Sequence, residues 1–333
     1  MIGLQRRQFI GAVSGLAVLA VAGCRDGKQA SAFPDPVNIA MQTWIGYGYA
    51  VVANEKGFFG DMRVNMSIVE DGTALAGGLS GGSTQIIGST LDQFMLLRSN
   101  NAPGQLLALT DDSYGGDGMA VTSAIKSLGD VRGKRVAYTP GPSSEYVLAT
   151  ALKSVGMTLN DVVPVTFPDP SGTVAAFVNG QVDAAVIFQP YLGQTLDRPD
   201  SRLLFTTKEF PDISVGCFVI REGLPNGDAI AQRFIDGVSK AEEWSKLNAA
   251  EADAILIKFF GVDKKALNDM RAGARLKGHA ENARYLAVTV TPPPVLKMLK
   301  DIDAHYQSRG VAGSRRASVA DIYPMAARDF ASE

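Results

Sequence analysis

The positions of this sequence that could bind a ligand carry mainly hydroxyl and amide side chains. The loop 139–144, Thr-Pro-Gly-Pro-Ser-Ser, follows a predicted strand and opens a predicted helix, so Ser143 and Ser144 lie at a helix N-terminus. The free backbone amides and the partial positive charge of such a terminus favour an anion. The loop is therefore a candidate anion site, although Ser144 could equally serve as the cap of its own helix.

Further polar candidates lie at the ends of other predicted strands. Gln189 follows the buried apolar run 184–188, and Ser89 and Thr90 follow the run 85–88. Ligands of open α/β sheets bind in the crevice at the carboxyl ends of the strands. We therefore expect these side chains to face a common ligand.

Aromatic residues stand near two of these strand ends. Trp44 and Tyr47 follow the predicted strand Val37–Met41, and Tyr146 lies two residues after Ser144. Aromatic side chains often form the walls of small-molecule pockets, but they also cover hydrophobic cores. Both roles remain open for Trp44 and Tyr47.

Patterns that would indicate covalent chemistry are weak in this chain. The segment 78–82, Gly-Leu-Ser-Gly-Gly, matches the G-x-S-x-G nucleophile pattern, but a helix is predicted before the serine, where a nucleophile elbow needs a strand. Cys217 lies in an apolar run, and neither His279 nor His305 has a partner at metal-binding spacing. We therefore predict no catalytic residue, no metal site and no cofactor.

The elements that must position the candidate residues alternate between strand and helix up to about residue 220, and helices follow. In the stretch 169–191 we predict that Ser171 caps a helix, that Gly180 ends it, and that a buried strand then leads to Gln189. A weaker copy of this arrangement lies about a hundred residues upstream. Two similar half-sites of this kind indicate two lobes.

A chain of 333 residues can bury a large core and is expected to form two domains. We predict an α/β fold in which each of two lobes is a sheet flanked by helices. Residues 34–121 and 217–333 form lobe 1, residues 122–216 form lobe 2, and two crossover strands join them. The net charge of −2 provides no basic field for nucleic acid.

The N-terminal segment is predicted to be a targeting signal and not part of the fold. Arginines at positions 6–7 precede an apolar run that is too short to span a bilayer. The pair fits either a twin-arginine export signal or an ordinary secretory one. Because the segment 21–24, Val-Ala-Gly-Cys, is similar to a lipobox, we predict a signal peptide at 1–23, lipidation of Cys24 and a tether at 24–33.

Three segments carry a family resemblance: 111–118, Asp-Asp-Ser-Tyr-Gly-Gly-Asp-Gly; 127–134, Ser-Leu-Gly-Asp-Val-Arg-Gly-Lys; and 176–190, Ala-Phe-Val-Asn-Gly-Gln-Val-Asp-Ala-Ala-Val-Ile-Phe-Gln-Pro. With the lipobox, they resemble the solute-binding proteins of ABC importers in the nitrate, taurine and alkanesulfonate group. Proteins that bind a thiamine-precursor pyrimidine share that fold. The family more often has Glu where this chain has Gln189, so this chain has one charge fewer at that position.

The resemblance implies a periplasmic-binding-protein fold of type II, with a ligand held between the lobes and a hinge that closes on it. It makes Ser113 a ligand contact, whereas the acidic residues of 111–118 are interpreted as turn and capping groups rather than metal ligands. The predicted ligand-binding residues are Trp44, Tyr47, Ser89, Thr90, Ser113, Ser143, Ser144, Tyr146 and Gln189.

The function implied is that of a monomeric, lipid-anchored binding protein, exported to the periplasm or cell surface, that is not an enzyme. It would deliver a small anion or zwitterion, such as taurine, another alkanesulfonate or nitrate, to an ABC permease and its ATPase. One alternative ligand is the thiamine-precursor pyrimidine, stacked on Trp44, Tyr47 and Tyr146. A second alternative, an enzyme on the same fold, is disfavoured because the pyrimidine synthases carry a cysteine-rich motif that this chain lacks.

Overall fold

The computed structural model describes residue 33 and the residues 36–139, 143–287, 292–308, 310 and 316–324. By internal contacts the chain divides into a unit of residues 1–31 and a unit of residues 32–333, and the second unit is the subject of this description. The predicted signal peptide and Cys24 lie outside the described residues. In the part of the chain that is described, no helix is both long enough and apolar enough to cross a bilayer.

Two mixed sheets form the framework. The first has the order β11-β4-β10-β3-β1-β2 and the second the order β7-β6-β8-β5-β9. Their strands are β1 Val37–Met41, β2 Val64–Ile68, β3 Ile86–Thr90, β4 Gly104–Ser113, β5 Asp117–Thr122, β6 Arg135–Tyr138, β7 Val163–Thr166, β8 Ala184–Phe188, β9 Ser201–Thr206, β10 Val215–Arg221 and β11 Ala274–Leu276. Each sheet combines a parallel part, β2-β1-β3 or β7-β6-β8, with antiparallel neighbours.

Helices flank both sheets and confirm the predicted α/β class. They are α1 Gly48–Glu55, α2 Gly72–Gly81, α3 Leu91–Ser99, α4 Ser143–Ser154, α5 Pro170–Val178, α6 Tyr191–Gln194, α7 Gly227–Leu247, α8 Ala249–Phe260, α9 Lys264–Ala272, α10 His279–Leu286 and α11 Pro294–Ser308. The largest hydrophobic core lies around the first sheet, and smaller ones lie around the second. Cys217 is fully buried in β10, as predicted for a small hydrophobic residue.

The chain changes sheet twice, through residues 114–116 and 207–214. The predicted lobe boundaries fall instead after residues 121 and 216. Because β5 pairs with β8 and β9, it belongs to the second sheet over its whole length. The division into lobes stays a prediction, and the strand pairing moves its boundaries to 114–116 and 207–214.

Local capping differs from one sequence prediction. The cap of α5 is Asp169, whose Oδ1 accepts a hydrogen bond from Gly172 N at 2.9 Å, so the prediction of Ser171 is wrong. Pro170 explains the difference, because its fixed φ and missing N–H suit the first helical turn and place the cap before it. In contrast, the G-x-S-x-G segment lies at the end of α2, as predicted, and no strand runs into Ser80.

The buried side chain of Arg98, on α3, joins the C-terminal segment to the residue that follows β10. Arg98 Nε lies 3.1 Å from Asp321 Oδ1, and its Nη1 lies 3.0 Å from Glu222 Oε1. Beside this contact, Ile322 forms a bridge with Leu106 of β4. Because Arg98 and Asp321 are almost fully buried, water compensates their charges poorly, and the ion pairs with Arg98 supply that compensation.

We expect Arg98→Ala to lower the free energy of unfolding by about 3 to 5 kcal/mol, because it removes the buried guanidinium that lies against the buried Asp321 carboxylate. Urea denaturation measures this quantity. Arg132→Ala is the control, since it breaks an exposed pair with Asp161 and should lower the free energy of unfolding far less. If both variants lowered the free energy of unfolding by the same small amount, the buried ion pair would not stabilise the C-terminal segment.

Candidate functional site

A cavity lies between the two sheets, and we call it the inner cavity. Its volume is about 30 Å³, room for about two water molecules. The first sheet and its connections contribute Gln42, Trp44, Tyr47, Thr90, Asp111 and Gly216. The remaining lining residues are Asp117, Ser143, Phe188 and Ser214.

Two of the three predicted aromatic residues, Trp44 and Tyr47, line this cavity. Trp44 and Tyr47 follow β1, and a short 3-10 helix, Ile45–Tyr47, turns them inward. Trp44 Nε1 donates to Asp111 Oδ2 at 3.0 Å, and the indole meets Phe188 edge-on, with ring centroids 6.4 Å apart. Both side chains are also buried in the core, so the two roles left open by the sequence coexist.

Two helix N-termini border the inner cavity. Thr90 is the residue before α3 and Ser143 is the first residue of α4. Thr90 Oγ1 is buried and forms no hydrogen bond of ordinary geometry with a described residue. Each helix start therefore supplies partial positive charge to the wall of the cavity that it borders.

Carboxylates supply the opposite charge. Asp111 and Asp117 line the cavity and are 1% and 3% exposed, and Asp92, in the first turn of α3, is equally buried. The interpretation of the acidic residues in 111–118 as turn and capping groups is wrong for Asp111 and Asp117. Strand β4 continues to Ser113 because it pairs with both β10 and β11, so Asp111 lies within a sheet, and Asp117 begins β5.

Burial alters the ionisation of all three carboxyl groups. Loss of solvation raises the pKa of Asp111 to about 7, against hydrogen bonds from Thr110 and Trp44 that lower it. Burial likewise raises the pKa of Asp117 to about 6 and that of Asp92 to about 7, the latter opposed by the neighbouring Thr90 hydroxyl. A carboxyl group buried without a counter-charge titrates at higher pH because its ionised form is poorly solvated.

Within the described part of the chain, no Lys, Arg or His lines the inner cavity. A buried lysine, Lys277, has its Nζ 2.6 Å from Asp112 Oδ2, so it pairs with that carboxylate and does not line the cavity. The carboxylates of Asp111 and Asp117 thus have hydrogen-bond donors but no cationic partner at the cavity.

Two glycines make room for the Asp111 carboxylate. A β-carbon at Gly46 would lie 2.0 Å from Asp111 Oδ1, and one at Gly216 would lie 2.2 Å from it. Gly216 of β10 pairs with Thr90 of β3 on one side and with Asp111 of β4 on the other, so the three residues are in register across neighbouring strands. The carboxylate therefore reaches the cavity through a gap that any larger residue would close.

The other predicted site residues lie outside the inner cavity. Ser89 Oγ bonds to Gln93 Oε1 at 3.0 Å, and Gln189 Oε1 accepts from Gly193 N at 3.1 Å at the start of α6. Ser144 is buried in α4. Tyr146 lines a separate cavity of about 380 Å³ beside α11, where its ring meets His305 edge-on.

Ser113 ties together the two connections between the sheets. Its Oγ lies 2.8 Å from Thr207 Oγ1 and accepts a hydrogen bond from Asp117 N at 3.0 Å. Gly115 N donates to the same Thr207 hydroxyl at 2.8 Å. The Ser113 hydroxyl is therefore already hydrogen-bonded to residues at the ends of both connections between the sheets.

A second, outer cavity also lies between the sheets and has a volume of about 220 Å³. Gln93 of α3 and Asp71 before α2 line one side, and Thr139 and Pro168 line the other. Thr139 begins the predicted anion loop, whose residues 140–142 lie outside the described part of the chain. The loop thus borders the outer cavity at Thr139 and the inner cavity at Ser143.

Comparisons with known proteins agree with this architecture. The family model described as NMT1/THI5 like matches residues 46–245. A protein of Brucella abortus (strain 2308), named as a binding protein, is 26% identical over 305 residues, which cover 90% of this chain and 88% of that protein.

Solved structures show the same fold. The alkanesulfonate-binding protein SsuA from Xanthomonas axonopodis pv. citri, solved with MOPS bound, has a TM-score of 0.72 at 19% identity, covering 87% of this chain and 98% of that one. The desulfurization enzyme DszB has a TM-score of 0.59 at 13% identity, covering 88% and 98%. The likeness confirms the predicted fold class, which hosts both binding proteins and an enzyme.

We expect Gly216→Ala to destabilise the protein by about 1 to 3 kcal/mol, because the new methyl group displaces the Asp111 carboxylate and the Thr110 hydroxyl. Thermal or urea unfolding measures the loss. Gly77→Ala, on an exposed part of α2 with nothing within 4 Å of the new β-carbon, is the matched control and should stabilise by about 0.5 to 1 kcal/mol. A Gly216→Ala variant as stable as the parent would show that the carboxylate does not need this gap.

Proposed function

The chain belongs to the NMT1/THI5-like family, and from this premise we propose that it is the solute-binding component of an ABC importer. The observation that carries the proposal is the inner cavity, whose walls come from both sheets. A ligand held there would contact Trp44 and Thr90 on one side and Ser143 on the other. Binding would therefore favour the arrangement in which the sheets are close together.

The two connections between the sheets suit a hinge. They are residues 114–116 and 207–214, and the Ser113–Thr207 contact links their ends. The inner cavity has room for only about two water molecules, so a larger ligand enters when the sheets separate. We infer that a permease would distinguish the closed form from the open one by the relative position of the two sheets.

A binding role is favoured over an enzymatic one, although the fold supports both. The one cysteine among the described residues, Cys217, is fully buried, and burial raises its thiol pKa well above the ordinary value. It does not line the inner cavity. A protonated thiol shielded from the cavity is a poor nucleophile, and His279 and His305 do not line the cavity either.

The ligand class follows from the groups that line the cavity. Thr90, Ser143 and two helix starts suit an anionic group such as a sulfonate, and nitrate would be the smallest candidate. The thiamine-precursor pyrimidine is the alternative, with Trp44 and Tyr47 as stacking partners. Tyr146 lies at the separate cavity beside α11, so the three-ring arrangement that would favour the pyrimidine is not assembled.

The cellular setting of this role comes from the N-terminal segment. A signal peptide at 1–23 and a lipid on Cys24 would place the protein outside the cytoplasmic membrane and hold it close to a permease and ATPase. A monomer suffices for such a role, because both walls of the inner cavity come from one chain.

Calorimetric titration of the full chain with taurine, longer alkanesulfonates, nitrate and the hydroxymethyl pyrimidine tests the function. We expect one ligand of the panel to bind at a single site with micromolar or tighter affinity. Thr90→Val together with Ser143→Ala should weaken binding about tenfold or more by removing two hydroxyls from the cavity.

Ser123→Ala is the control for this pair, because Ser123 is exposed on a turn beside the second sheet. It should leave the affinity unchanged. A ligand that binds equally to all variants would lie elsewhere, and the absence of binding by any member of the panel would argue against the importer function.

A further inference from the structure

We propose that the inner cavity selects ligands that carry a protonated amine, which Asp111 and Asp117 hold between them. This inference rests on the proposed function and narrows its ligand. It excludes nitrate and simple alkanesulfonates and retains zwitterions.

The first argument is the charge balance of the cavity. Two carboxylates line it, a third, Asp92, is buried next to it, and no described lining residue is basic. An isolated anion brought into this space would add negative charge where the protein already has an excess. A cationic amine supplies the missing counter-charge and N–H donors to both carboxylates.

The second argument is that Asp111 is held as an acceptor. Trp44 Nε1 can only donate, and it donates to Oδ2, while Thr110 Oγ1 lies 2.8 Å from Oδ1. Gly46 and Gly216 leave the space that the carboxylate occupies. A carboxylate oxygen has lone pairs to spare after one bond, so the group can accept further hydrogen bonds from the cavity side.

The third argument is the position of the opposite pole. Thr90 and Asp111 flank Gly216 on neighbouring strands, two strand spacings or about 9.5 Å apart along the sheet. The α4 start at Ser143 favours a negatively charged group, to which the Thr90 hydroxyl can donate, and Asp111 favours a positively charged one. A short zwitterion matches both poles of this cavity, whereas a simple anion matches only one.

The ionisation of the carboxyl groups makes the inference testable through pH. Asp111 and Asp117 have pKa values raised to about 7 and about 6, and the titratable groups that face them are Tyr47, Asp92, Asp112 and Cys217. All of these groups are neutral or negative, so none supplies the counter-charge. Raising the pH through this range ionises the two carboxyl groups, which strengthens the binding of a cation and weakens the binding of an anion.

Matched ligand pairs test the proposal by calorimetry on the full chain. Taurine is compared with ethanesulfonate, and β-alanine with propionate, since each pair differs only in the amine. We expect at least one amine-bearing member to bind about tenfold or more tightly than its partner at pH 8, and its affinity to rise between about pH 5 and about pH 8.

Variants separate a direct role of the carboxylates from a structural one. Asp111→Asn and Asp117→Asn should each weaken the amine ligand about tenfold or more and flatten the pH dependence. Asp61→Asn, at an exposed residue paired with Arg233, is the control and should change neither quantity. Thermal unfolding of each variant checks that the fold is retained.

Three results would overturn the inference: ethanesulfonate or nitrate binding as tightly as taurine, affinity falling as the pH rises, or no binding by either amine. In the first two cases a solute still binds, so the importer function is retained and only the requirement for a protonated amine is rejected. The importer function itself fails if the pyrimidine, nitrate and longer sulfonates are also silent.

Discussion

The burial of the Asp111 carboxylate between the two sheets is the constraint on which the site depends. It needs Trp44 to donate to it from the turn after β1, and it needs glycine at positions 46 and 216 to give it space. These demands fix the path of the chain after β1 and the small residue near the start of β10. The same carboxylate sets the sign of the charge that a partner in the cavity must carry.

Much of the fold could be predicted from the sequence because its strands and helices have strong local signals. The buried apolar runs of β1 and β8 and the helix Leu91–Ser99 were predictable from periodicity, and Gly82 in a left-handed conformation ends α2 as a C-terminal glycine should. The boundary between the sheets was less predictable. It depends on the pairing of β5 with β8 and β9, which are distant in sequence. The local sequence of Asp117–Thr122 does not determine that pairing.

The site was predictable in part, and the missing part is the acidic one. Trp44, Tyr47, Thr90 and Ser143 lie together because each lies at or shortly after a strand end, and these ends in the two sheets border the same cavity. Asp111 and Asp117 occur in a Gly-rich, acidic segment that is typical of a turn. Only pairing with β10 and β11 extends β4 through Asp111, and the nearest signal in the sequence is the unbroken apolar run that precedes it.

Strand β4 has ten residues, and its side opposite β10 would be a long row of unpaired backbone groups. Two short segments cover it: β11 pairs with Asp111–Ser113, and Tyr323 N donates to Leu106 O at 2.9 Å beside the Ile322 bridge. The exposed edge of a sheet can form backbone hydrogen bonds with a strand of another chain. By covering the edge of β4, these two segments oppose self-association. Proteolytic loss of the C-terminal segment that contacts Arg98 would uncover part of this edge and expose its backbone groups to pairing with another chain.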